Sequence, residues 1–129
     1  MKAYVLFSSS SGNSAYIKSG NDEILIDAGL SAKQISDSLM KLGTNLSNIS
    51  SIFITHEHID HIKALNVICR HHNIPVYIPS KSLEFVAKNM PWTADHLVEN
   101  DGGSVVSFDN VVIRAFNTPH DSLGSVCYR

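Results

Sequence analysis

Ser51-Ile52-Phe53-Ile54-Thr55-His56-Glu57-His58-Ile59-Asp60-His61 is the stretch on which the reading of this chain turns. Its first five residues are short, apolar and rich in β-branched side chains, so they read as a buried strand. The next six hold three imidazoles and an Asp carboxylate. Imidazole is the commonest nitrogen donor to transition metals, and Asp supplies a hard oxygen. A helix follows, with Ile62, Leu65 and Ile68-Cys69 forming an apolar stripe that reaches about His72. The cluster therefore falls at the carboxyl end of a strand, where α/β sheets place binding groups.

Spacing decides how these ligands are presented. In a helix His56 and His58 would point to nearly opposite sides, because side chains meet at separations of three or four. Two-residue spacing suits an extended or looped backbone, where alternate side chains share a face. That argues against the His-Glu-x-x-His pattern of helical zinc sites, since the residue four after His56 is Asp60. On a strand-end loop His56 and His58 can grip one ion, while Asp60 and His61 turn toward a second position. Asp60 also suits a helix N-cap. His120 follows a strand and a Thr-Pro turn and is the natural third ligand of the first ion. Three neutral imidazoles leave a position for water, whose pKa falls to about 7 on a cation, giving a hydroxide nucleophile. Asp27 ends an Ile-Leu-Ile run and is read as a carboxylate that accepts a hydrogen bond from a ligating His and fixes its tautomer. His71-His72 and His96 lack comparable spacing and read as a helix end and a loop. Asp121 reads as a polar turn residue.

Outward from the cluster, the pattern alternates strands with helices. Residues 3–7, 15–18 and 23–26 read as strands, with turn signals at residues 8–14 and at Gly20-Asn21. Ser31 reads as an N-cap with Gln34 completing a capping box, Ile35, Leu39 and Leu42 as the buried stripe, and Gly43 as the stop. Residues 75–79 form a proline-bounded strand. Ser80 reads as the cap of a helix burying Leu83, Phe85-Val86 and Met90, with Pro91 ending it. Residues 104–108 and 111–116 read as a hairpin across Asp109-Asn110, and a further strand begins near Gly124. The class is α/β with mixed sheet pairing.

Bulk properties set limits. The chain has 129 residues, 43% hydrophobic and 17% charged, which is enough for one domain or part of one. A net charge of -2 leaves no electrostatic footprint for nucleic acid, although metal ions would supply local positive charge. Cys69 and Cys127 are too few and too scattered for a disulfide framework and read as reduced, in a cytoplasmic protein. No apolar run approaches membrane-spanning length.

At these residues the chain resembles the metallo-β-lactamase-fold hydrolases. Thr55-His56-Glu57-His58-Ile59-Asp60-His61 matches the family's His-x-His-x-Asp-His signature with its preceding Thr. Ile26-Asp27-Ala28-Gly29 matches the first Asp motif, and Thr118-Pro119-His120 the next His motif. Ser9-Ser10-Ser11-Gly12-Asn13 with Asp27-Ala28-Gly29-Leu30-Ser31 is further similar to the WalJ/YycJ-type subgroup, which is related to DNA exonucleases and other phosphodiesterases.

The resemblance implies a four-layer αβ/βα sandwich with a dimetal site at the sheet edge. By it, His56, His58 and His120 hold the first metal, and Asp60 and His61 contribute to the second. The cofactor is a divalent metal, Zn or Mn, with up to two ions in the complete fold. The family's later bridging Asp and final His have no candidate before Arg129. Residues 1–129 are therefore expected to be the amino-terminal half of the domain, with a mixed sheet and about three helices. A missing carboxyl-terminal half, or a second copy, is expected to complete it. The expected function is a metal-dependent hydrolase of phosphodiesters, exonuclease-like, acting on nucleic acid or a small phosphodiester. Asp60 would orient the nucleophile, and the serine-rich turn, through Ser11 and Asn13, would present donors to phosphate. The alternatives are a thioester or lactam hydrolase of the same fold, or a non-catalytic metal-binding half-domain.

Overall fold

The computed structural model describes residues 1–117 and 126–128. Three antiparallel strands open the chain: β1 (Lys2–Ser9), β2 (Gly12–Ser19) and β3 (Asp22–Ile26). The serine-rich break predicted over residues 8–14 is narrower than expected, because both strands run into it and leave a tight hairpin turn. From β3 onward the sheet grows in parallel, adding β4 (Ser51–Phe53), β5 (Val76–Ile78) and β6 (Leu97–Glu99) in the order β1-β2-β3-β4-β5-β6. Parallel neighbours need crossover connections, and helices supply them.

The first crossover carries α1 (Ala32–Lys41), and its start was legible. The Gln34 N–H donates to Ser31 Oγ at 3.1 Å, and the Ser31 N–H donates back to Gln34 Oε1 at 3.2 Å. Ile35 and Leu39 are fully buried on one face, and Gly43 follows the helix at φ +81, a conformation glycine adopts without a Cβ penalty. After the histidine cluster the expected single helix is two: α2 (Ile59–Ile62) and α3 (Leu65–His71), separated at Lys63-Ala64. The fourth helix, α4 (Ser80–Asn89), corrects one expectation. Pro79 is its N-cap, and Ser80 is already helical. The Ser80 N–H and hydroxyl both donate to Asp101 Oδ1, at 2.8 and 3.0 Å, so a residue from beyond the helix does the capping. Phe85, expected inside, is 49% exposed, whereas Ser82 is fully buried.

A second sheet holds β7 (Val105–Ser107), β8 (Val112–Asn117) and β9 (Val126–Tyr128), with the predicted hairpin joining the first two. Strand alternation sorts the side chains into two layers. Leu25, Ile52, Ile54, Val76 and Ile78 face the helices. Ile24, Phe53 and Tyr77 face the second sheet, where Ile113, Val106 and Phe108 meet them. Phe53 stacks on Tyr77 with centroids 4.6 Å apart and meets Phe108 edge-on at 6.1 Å. Full burial of such a ring contributes about 3 kcal/mol. Because β3 and β4 are parallel neighbours, the segments leaving Ile26 and Phe53 emerge side by side at one edge of the sheet.

Candidate metal centre

Asp27 is the first residue past β3, and it is buried in the left-handed region at φ 61. That conformation costs an L-residue roughly 1–2 kcal/mol, and Asp is among those that tolerate it. The backbone holds it there. The Asp27 N–H donates to Phe53 O, and Ser14 Oγ donates to Asp27 O, each at 2.8 Å. Two residues on, a Cβ on Gly29 would lie 1.7 Å from Asp60 O, so only glycine lets this segment lie against the histidine loop. The two are laced together by Ala28 N–H to His61 O at 2.8 Å and Ala64 N–H to Ala28 O at 2.9 Å.

The Asp27 carboxylate then organises three donors. Oδ1 accepts from the Thr55 N–H at 2.8 Å, while Oδ2 accepts from Thr55 Oγ1 at 2.8 Å and from His61 Nδ1 at 2.6 Å. An ionised carboxylate only accepts, so His61 carries its proton on Nδ1 and turns the Nε2 lone pair outward. Thr55 has one hydroxyl proton, and Asp27 takes it. The 2.9 Å contact between Thr55 Oγ1 and His56 Nδ1 must then run from the imidazole to the hydroxyl. His56 is thereby fixed in the same tautomer, with Nε2 free. Carboxylate orientation of imidazoles in this way is how metal-ligating histidines are held.

The three rings lie together, His56 to His58 at 4.5 Å and His56 to His61 at 3.9 Å between centroids. Burial, then the neighbouring His61 and His58, lowers the pKa of His56 and favours the neutral ligand form. For His61, burial opposes the charged form, but the hydrogen bond and charge of Asp27, with Asp60, outweigh it and the pKa is raised. His58 caps α2 through its backbone, its carbonyl accepting from the His61 N–H at 2.8 Å. Asp60 is not the cap that its sequence position suggested. It lies in the first turn, and its Oδ2 faces Asn13 Nδ2 at 3.0 Å and His61 Nε2 at 3.4 Å. Glu57, between the first two histidines, accepts from the buried Ser82 hydroxyl at 2.5 Å, which ties the loop to α4.

Residues 9–129 match the metallo-beta-lactamase superfamily. The chain belongs to that superfamily. It is 34% identical over 127 residues to "Exodeoxyribonuclease YycJ" of Bacillus anthracis, a match covering 96% of this chain and 47% of the relative. It is 31% identical over 133 residues to "Exodeoxyribonuclease WalJ" of Streptococcus pneumoniae, covering 99% and 49%. The fold superposes on Rm3 metallo-beta-lactamase with a TM-score of 0.83 at 22% identity, covering 98% of this chain and 52% of that one. The chain spans about half the length of the curated relatives it matches. The expected half-sandwich with a mixed sheet is thus found, with four α-helices among the described residues where about three were predicted, because the one after the cluster is split.

Within this superfamily fold, His56, His58, Asp60, His61 and Asp27 are brought together. The expected third ligand His120 lies outside the described residues, as do Asp121 and the side chain of Cys127. Among the described residues, no three His, Cys, Asp or Glu side chains close into a complete ion cage. The donor set nonetheless fits a divalent cation: Nε2 lone pairs left available on His56 and His61, with Asp60 Oδ2 3.4 Å from that of His61. Ser11 sits exposed on the hairpin turn, its N–H already donated to Ser9 Oγ at 3.2 Å. Asn13 is turned onto Asp60 rather than toward open space. No helix among the described residues is long and apolar enough to cross a membrane. Sequence reasoning passed over the relay through Thr55, the Ser14 and Ser82 hydroxyls and the tight fit of Gly29. The Thr directly before the histidines and the Gly two after Asp27 were the available signals.

Proposed function

We propose that this chain is the amino-terminal half of a metal-dependent phosphodiesterase that acts on DNA as an exonuclease, in the cytoplasm. The observation that carries the reading is the Asp27 carboxylate bonded at once to His61 and, through Thr55, toward His56. Such fixing of imidazole tautomers serves little purpose in a merely structural loop. The choice of DNA rests on the two relatives named exodeoxyribonucleases, since the likeness to lactamase structures is one of fold.

His56, His58 and His120 would hold one ion, and Asp60 and His61 a second. A bound divalent cation, Zn or Mn, supplies positive charge for the phosphate oxygens and acidifies water at neutral pH. Asp60 accepts a hydrogen bond from the attacking water and aims its lone pair at phosphorus. Asp27 stops the His61 ring from turning, and burial keeps His56 neutral and ready to bind. The serine-rich turn lies beside Asp60 through Asn13, so a phosphate at the centre would meet Ser11 on its rim.

The test is an assay of the full-length protein with Zn or Mn on end-labelled DNA, a generic phosphodiester, a thioester and a β-lactam. Stepwise shortening of DNA is the expected result. Turnover of the thioester or lactam alone would overturn the proposal.

A further inference from the structure

The carboxamide of Asn13 faces more acceptors than it has protons. Its Nδ2 lies 2.9 Å from Ser9 O, 3.0 Å from Asp60 Oδ2, 3.3 Å from Asp60 O and 3.4 Å from His61 Nε2. An amide nitrogen has two protons. Ser9 O and Asp60 Oδ2 take them by distance, and the remaining carbonyl and imidazole lone pair are left poorly served. All four neighbours are electron-rich, which also fixes the amide with nitrogen, not oxygen, at this spot.

The arrangement differs from an ordinary brace on a metal-binding carboxylate. A brace bonds the oxygen that points away from the ion. Here the amide bonds Asp60 Oδ2, the oxygen that faces His61 Nε2 at 3.4 Å. The proton on His61 Nδ1 goes to Asp27, so Nε2 presents a lone pair to the same point. Bonds from oxygen or nitrogen to a transition-metal cation run about 2.0–2.2 Å, so one ion can touch both atoms across that gap. The amide sits against the two atoms that such an ion would join.

We propose that Asn13 is a placeholder for the second divalent cation: its carboxamide holds Asp60 Oδ2 beside His61 Nε2, in competition with the ion, and is displaced as the ion enters. The backbone is suited to this. Asn13 O accepts the Gly29 N–H at 2.9 Å, which ties the main chain to the Asp27 segment. The side chain itself is only half-buried. Release of Asn13 is thus coupled to loading of the Asp60–His61 pair. The inference rests on the metal-centre reading above.

The experiment is a Zn titration of the full-length protein labelled with nitrogen-15, following the Asn13 side-chain NH2 signals, paired with calorimetry on Asn13→Ala and Asn13→Ser. The NH2 pair is expected to stay in place through the first equivalent and to move with the second. Both variants should bind the second equivalent about 5-fold more tightly, the worth of one net hydrogen bond no longer broken, with the first unchanged. Two ions bound with the NH2 pair unmoved, movement with the first ion, or weaker second binding in both variants would each overturn the placeholder alone. Uptake of no ion would overturn the metal-centre reading along with it.

Discussion

Among the described residues two groups of histidines sit on this fold, and they are built differently. His56, His58 and His61 leave the carboxyl end of β4 with Asp27 and Asp60 among them. His71, His72 and His96 gather at the end of α3, around a shallow pocket of about 250 Å³ lined also by Cys69, Arg70 and Asn73. The first group has carboxylates that fix its rings and offset the charge of a cation. The second has no Asp or Glu in its lining to offset a cation, and Arg70, whose guanidinium lies over the Trp92 ring at 5.4 Å, adds positive charge nearby. His96 Nδ1 there bonds the Ile74 carbonyl at 3.0 Å, a contact that settles a loop. The number of imidazoles does not separate the two places. The partners on the far side of each ring do.

The sharpest way to break the first group is at its glycine. Gly29→Ala would drive a Cβ into the Asp60 backbone and push the Asp27 segment off the histidine loop. A loss of about 3 kcal/mol is expected by urea unfolding, with most metal uptake gone. His56→Ala should leave the fold intact and weaken the first ion by more than about 100-fold, beyond what an orienting partner contributes. Asp27→Asn tests that partner directly, since Asn also tolerates φ 61. It should weaken binding by about 10- to 100-fold in calorimetry. In the second group, replacing His71 and His72 by Ala should change neither ion stoichiometry nor affinity.

Cys69 gives the smallest effect and a pH sign for the second region. Burial pushes its thiol up from 9.0 to about 12. The folded state thus holds the proton more tightly than the unfolded chain. The resulting stabilisation is fully present below pH 9.0 and fades as pH rises toward 12. Urea midpoints should fall as pH rises from 9.0 toward 12, and Cys69→Ala should flatten part of that slope. Peptide mapping should show no iodoacetamide on Cys69 in the folded protein at pH 8.

Local chemistry explains how much of this was legible. The Ser31–Gln34 box, the Gly43 stop and the turn across Asp109-Asn110 are set within a few residues, and each was readable. The strand-end histidines were readable because spacing of two and their apolar approach are both local. β6 was missed because Leu97-Val98-Glu99 is three residues long and half-exposed, so no alternation develops. Ser80 misled because its partner Asp101 lies twenty-one residues away. Thr55 was legible as the residue before the histidines, but its bond was not, for the same reason: its acceptor is Asp27, on the neighbouring strand's exit. Phe85 sits at helical spacing with the buried positions yet faces out, because α4 turns Ser82 and Val86 inward, Ser82 toward Glu57.

The most direct measurement is anomalous diffraction at the zinc edge from crystals of the full-length protein. The expected result is a peak within bonding distance of a ring nitrogen of both His56 and His58, and none beside His71, His72 or His96. A peak at the α3 end with nothing at the β4 exit would contradict the account.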